Sequence, residues 1–174
     1  MFAATSSRVL GIDPGLTRCG YAIIDARRGD RPQAVSMGVI KTPPSGELPA
    51  RLAELRAELV QILDEFKPSA VAVERVFFQV NVRTAMSVGQ ASGIALCEAA
   101  TRGCEVVQYT PNQVKDAVAG SGSADKAQVQ RMVQIRLGLE HPPRPADAAD
   151  AAALALCHLA FAPFAQRTRS AMAR

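Results

Sequence analysis

Four carboxylates carry the chemistry this chain could do. Asp13 closes the run Val9-Leu10-Gly11-Ile12-Asp13-Pro14-Gly15, and Glu74 ends Ala70-Val71-Ala72-Val73-Glu74. Asp147 and Asp150 lie in Ala146-Asp147-Ala148-Ala149-Asp150-Ala151. The first two finish apolar, β-rich runs, where a carboxylate is costly unless it meets a cation or a hydrogen-bond donor. The other two sit in an alanine-rich stretch that reads as helix. Residues three apart on a helix point within roughly 60° of each other, so both aspartates face one side. Leu154, seven residues after Asp147, shares that side, which makes it the face that packs on a sheet. Four carboxylates in one cleft would repel unless cations intervene. Divalent ions held by oxygen ligands, two of them about 4 Å apart and bridging a phosphate, are the usual resolution.

Each acid also has a blander use. Asp-Pro-Gly opens turns, Glu74 could pair with Arg75, and Asp147 and Asp150 could answer a helix dipole just after Pro145. The constellation carries more than its parts. Lys115 and Lys126 flank Gly120-Ser121-Gly122-Ser123. They are either solvated helix charges or two cations able to close over a phosphate. Phe77-Phe78 follow Glu74 closely, and two adjacent rings after a strand end do not both reach the core easily. An exposed ring beside a metal site can stack on a base. His141 and His158 read as ordinary residues. Cys19, Cys97, Cys104 and Cys157 lack CxxC spacing, which argues against zinc and for reduced thiols in or near the core.

The elements that must position these groups follow from local pattern. Residues 8–12, 19–25 and 34–42 read as three strands joined by short turns, an antiparallel meander. Leu48, Leu52, Leu55, Leu59, Ile62 and Phe66 recur at helical spacing, and Pro68 ends that helix. Residues 70–73 form a fourth, fully apolar strand. Residues 84–101 are helical in pattern and rich in small side chains, and 105–109 form a fifth strand. Pro111 opens a helix to about Ala119, the glycine-serine stretch forms a hinge, and residues 125–137 are again helical. A last helix runs from about Ala146 to Ala162. Strands four and five, joined by a helix, should be parallel. The sum is an α/β domain with a mixed five-stranded sheet and helices on both faces.

At 174 residues and 48% hydrophobic content, one domain with one core is expected. It should span residues 8–165, between a disordered N-terminus (1–7) and a basic mobile tail (166–174). The longest apolar stretch, Ala151 to Phe164, is broken by His158 and Pro163 and is too short for a membrane span. The N-terminus lacks the pattern of a signal peptide. A cytoplasmic protein with no membrane contact is expected. The formal charge is +4, from 20 basic and 16 acidic residues. With four acids committed to metal, the remaining surface is clearly basic. That division suits an enzyme that cuts a polyanion.

The motifs resemble one family, the RuvC-type Holliday-junction resolvases. The matching stretches are Gly11-Ile12-Asp13-Pro14-Gly15 with Gly20-Tyr21, Ala72-Val73-Glu74-Arg75-Val76-Phe77-Phe78, Gly89-Gln90-Ala91-Ser92-Gly93, Gln113-Val114-Lys115, Ala124-Asp125-Lys126-Ala127-Gln128-Val129-Gln130, and the segment around Asp147 and Asp150. They occur in family order from about residue 8 to 162. The resemblance implies an RNase H-like fold, a homodimer, and Mg²⁺-dependent hydrolysis of DNA phosphodiesters at four-way junctions. It implies two ions per subunit, with Mn²⁺ as a possible substitute. Asp13, Glu74, Asp147 and Asp150 match the catalytic, metal-binding acids. Lys115 and Lys126 match basic residues near the scissile phosphate, and Phe77 matches the aromatic that stacks at the junction centre. It also implies work beside the RuvA–RuvB branch-migration complex in recombination and repair. Two rivals differ in class. One is an actin-like ATPase, because Asp13-Pro14-Gly15-Leu16-Thr17 fits a DxGxT phosphate loop, although such proteins need two such domains. The other is a junction-binding protein without catalysis.

Overall fold

Alternation along two neighbouring strands decides which way the acids point. The structure, a computed structural model, describes residues 7–27, 29–75 and 82–172. Strand β1 spans Ser7–Asp13, β2 Arg18–Ala26, β3 Gln33–Lys41, β4 Ala70–Glu74 and β5 Glu105–Tyr109. They form one sheet in the order β3-β2-β1-β4-β5. The β1–β2 and β2–β3 pairs are antiparallel, while β1–β4 and β4–β5 are parallel. Successive side chains leave a strand on opposite faces. Leu10, Ile12, Ile23, Val71 and Val73 enter one core cluster, whereas Val9, Ala22, Ile24, Ala70 and Ala72 enter the other. Asp13 and Glu74 continue the second set.

Helices cover both faces, as expected. Helix α1 (Leu48–Phe66) and α2 (Val82–Thr101) bury Leu55, Leu59, Leu63, Ala91, Ala95 and Ala99 against the first face. Helices α3 (Pro111–Ala119), α4 (Lys126–Leu137) and α5 (Ala146–Met172) cover the second. Proline breaks α1 cleanly: Lys67 ends it in a left-handed conformation, φ 47°, just before Pro68. Capping boxes fix the starts of α3 (Thr110 with Gln113) and α4 (Asp125 with Gln128).

The alanine run of α5 has a steric reason. The face of the sheet beneath it carries Gly11, Gly20, Ala22, Ala70 and Ala72. A Cβ at Gly11 would collide with the carbonyl oxygen of Ala151, and one at Gly20 with that of Asp147. Glycine and alanine on both sides let α5 rest almost backbone to backbone on β1 and β2.

Three local expectations change. Helix α5 does not stop near Ala162 but runs to Met172; beyond Pro163 the residues Ala165, Gln166, Arg167 and Arg169 are good helix formers. The stretch expected as a flexible hinge forms a compact turn. Gly120 caps α3, Ser121 and Ser123 share a hydroxyl bond of 2.8 Å, and the Ala124 amide donates to the Ser121 carbonyl. Among the cysteines, Cys19 and Cys157 are buried, but Cys97 lies exposed on α2. His158 is buried, with Nδ1 3.0 Å from the Tyr109 hydroxyl.

Candidate active site

The carboxyl ends of β1 and β4 set the site. In the parallel register Gly11 faces Ala72 and Ile12 faces Val73. The next residue on each strand is Asp13 and Glu74. Equal position and equal parity send both side chains to the same face at the same edge. That face is the one covered by α5, whose first two turns carry Asp147 and Asp150. Gly20 is paired with Asp13 across β1–β2 and also lies under the Asp147 backbone. The same glycine therefore locks the α5 start beside the β1 end. All four acids converge, although 60 or more residues separate each strand acid from the next.

Electrostatics reports the convergence. The Asp13 carboxyl is pushed up from 3.8 to about 7, first by burial and then by the charges of Glu74, Asp150 and Asp147; Lys126 opposes the rise. Glu74 is likewise raised by burial and by Asp150. Asp147 behaves differently. Burial pushes it up, but hydrogen bonds from Arg18 and from its own backbone amide, with the charges of Arg18 and Lys126, bring it below the usual carboxylate value. The site is thus an excess of negative charge, with two cations at its rim.

Those cations each grip one α5 acid. Lys126, the first residue of α4 after the Asp125 cap, donates from Nζ to Asp150 Oδ2 at 2.7 Å. Its ammonium is held charged by that bond above all. Arg18, at the start of β2, donates to Asp147 Oδ2 from Nε at 3.0 Å and from Nη2 at 2.7 Å. Glu74 makes no ion pair with Arg75, and Asp13 makes no side-chain bond to the turn that follows it, among the described residues. The Arg75 amide is instead held by the Tyr109 carbonyl at 2.8 Å, which pins the end of β4 to β5.

The loop after Asp13 has its own brace. The Thr42 hydroxyl donates to the Leu16 carbonyl at 2.6 Å, and Arg51 donates to the hydroxyls of Thr42 and Thr17 at 3.0 and 2.7 Å. Residues 16–18 are therefore tied to β3 and α1. Lys115 is half-buried on α3 and makes no ion pair among the described residues. Phe77 lies outside the described residues. The sequence reading missed Arg18 and Arg51. A basic residue close after the Asp-Pro-Gly turn was the available signal for Arg18; nothing local points to Arg51.

An oxygen-only set of carboxylates fits a hard divalent cation such as Mg²⁺ or Mn²⁺. The raised Asp13 carboxyl marks the charge such a cation would relieve. The acids act on one another through charge but are not drawn into a tight cluster of three ligands among the described residues. Asp147 and Asp150 each accept from a rim cation through Oδ2, from Arg18 and Lys126 respectively.

The sequence profile of the family described as "Crossover junction endodeoxyribonuclease RuvC" matches residues 9–158. A protein of that description from Frankia casuarinae is 53% identical over 164 residues, covering 94% of this chain and 95% of its own. One from Streptomyces avermitilis is 52% identical over 166 residues, covering 95% and 94%. Among solved structures, Thermus thermophilus RuvC in complex with a Holliday junction substrate superposes with a TM-score of 0.87 at 38% identity, covering 91% of this chain and 96% of that one.

Proposed function

The chain belongs to the RuvC family of crossover junction endodeoxyribonucleases, and on that premise we propose that Asp13, Glu74, Asp147 and Asp150 are its catalytic acids. The protein is an RNase H-like endonuclease that resolves Holliday junctions in DNA recombination and repair, and its family is metal-dependent. The observation that carries the site assignment is the register of β1 against β4, with α5 seated over Gly11 and Gly20.

The ions are Mg²⁺, two per subunit, with Mn²⁺ able to substitute. When bound they lower the pKa of water and offset the phosphate charge. Asp13, at the carboxyl end of the central strand β1, would hold metal together with Glu74 and Asp150, and Asp147 would ligate or orient the attacking water. That water attacks phosphorus in line and leaves a 5′-phosphate and a 3′-hydroxyl. Lys126, already at the acid cluster, meets the scissile phosphate, and Lys115 contacts the backbone nearby. Phe77 stacks on a base at the crossover.

Two matched cuts need two matched sites, which a two-fold homodimer supplies. Helix α2 suits that interface. Ala91, Ser92 and Ala95 turn inward, while Met86, Gly89, Gly93 and Cys97 form an exposed stripe on the other side. The RuvA–RuvB complex is the partner, and the cytoplasm the location. No helix among the described residues is long and apolar enough to cross a membrane.

The test uses a labelled mobile four-way junction with Mg²⁺. Asp13→Asn, Glu74→Gln and Asp150→Asn should each lose cleavage while retaining junction binding. Normal cleavage by any of the three would remove that residue from the site.

A further inference from the structure

Helix α5 carries two site acids, and β2, which carries none, positions one of them. Gly20 admits the Asp147 backbone to the strand surface, since any Cβ there would strike the Asp147 carbonyl oxygen. Arg18 lies two residues earlier on the same strand and so on the same face. Its Nε and Nη2 both donate to Asp147 Oδ2, at 3.0 and 2.7 Å, leaving Oδ1 outside the guanidinium grip. Two donors from one planar group converging on one oxygen fix the position of Oδ2 more closely than a single point-charge donor would. Arg18 is itself held. Its backbone pairs with Lys41 in β3, and Thr17 before it is tied by the Thr42 amide to its carbonyl and by Arg51 to its hydroxyl.

We propose that Arg18 is a positioning residue that holds the Asp147 carboxylate, through Oδ2, in the orientation that presents Oδ1 to the catalytic metal. The inference rests on the reading that Asp147 is a metal ligand. Partners that orient ligating carboxylates typically alter metal affinity 10- to 100-fold when removed. The pair spans 129 residues of chain, so it acts only in the folded protein.

The experiment measures Mn²⁺ binding to the full-length protein without DNA, by calorimetry, beside junction binding in EDTA. Arg18→Ala should weaken Mn²⁺ binding by about 10- to 100-fold and leave junction affinity in EDTA within about twofold. Arg18→Lys keeps the charge but not the two-donor grip, so it should recover only part of the metal affinity. The Arg18 side chain is 41% exposed, so both variants should fold, and thermal unfolding in EDTA checks this. Asp147→Asn should weaken Mn²⁺ binding, and adding Arg18→Ala to it should cost little more. Unchanged or tighter binding in Arg18→Ala, with Asp147→Asn still weak, overturns the positioning role alone. Full recovery by Arg18→Lys overturns it too, because charge would then suffice. Unchanged binding in Asp147→Asn overturns the ligand reading of Asp147 and this inference together.

Discussion

The Asp13→Asn substitution should stabilise the metal-free protein, and increasingly so as pH rises. Burial and three neighbouring carboxylates displace the native Asp13 carboxyl from 3.8 to about 7. A carboxyl raised on folding contributes stability that is full below about pH 4 and is lost as pH climbs through about 7. At roughly 1.4 kcal/mol per tenfold change in proton affinity, the displacement is worth at most about 4 kcal/mol. Screening by solvent and salt brings the expected effect at pH 8 to about 2–4 kcal/mol. Asparagine keeps the shape and removes the charge, so near pH 4 the two proteins should be almost equal. Urea unfolding in EDTA from pH 4 to pH 8 reads the difference as a midpoint shift of about 1–2 M at the upper end. Glu74, raised in the same direction, should leave the variant a smaller slope of the same sign. Added Mg²⁺ should stabilise the wild type more than the variant. A variant less stable than wild type at pH 8, or a difference that does not grow with pH, would refute the account of four crowded carboxylates.

Junction affinity should fall steeply with salt, and Lys115→Ala or Lys126→Ala should each reduce the slope of log K against log salt by about 1, in a filter-binding series. Gly20→Ala should push the start of α5 off β2 and destabilise the protein by about 1–3 kcal/mol, measured by urea unfolding, because the added methyl meets backbone rather than a movable side chain. Phe77→Ala should lose about 1–3 kcal/mol of junction engagement with little change on nicked duplex; a fall in melting temperature instead would place that ring in the core. Met86→Glu, at a 58% exposed position on α2, should convert a dimer to a monomer in light scattering and abolish paired symmetric cuts, if the exposed stripe is the interface.

Local pattern was enough to place nearly every element. Strand parity and helix spacing are properties of neighbouring residues, so β5 and α3 agree with the structure at both ends, and α1 closes where Pro68 demands. The same parity put Asp13 and Glu74 at strand ends and both α5 aspartates on one helix face. Where the pattern misled, the competing forces were also local: helix formers after Pro163 outweighed its break, and serine hydroxyls closed the expected hinge. What only the tertiary structure decided is which distant groups meet. The β1–β4 register, one residue either way, would have sent the two strand acids to opposite faces. Glycines at 11 and 20 are ordinary in a sequence, and their meaning appears only when α5 lies on them. The cations that face the α5 acids, Arg18 across 129 residues and Lys126 across 24, are selected by that packing. A charged side chain has no periodicity that names its partner, so the sequence could list the candidate acids but not the arginine that meets one of them.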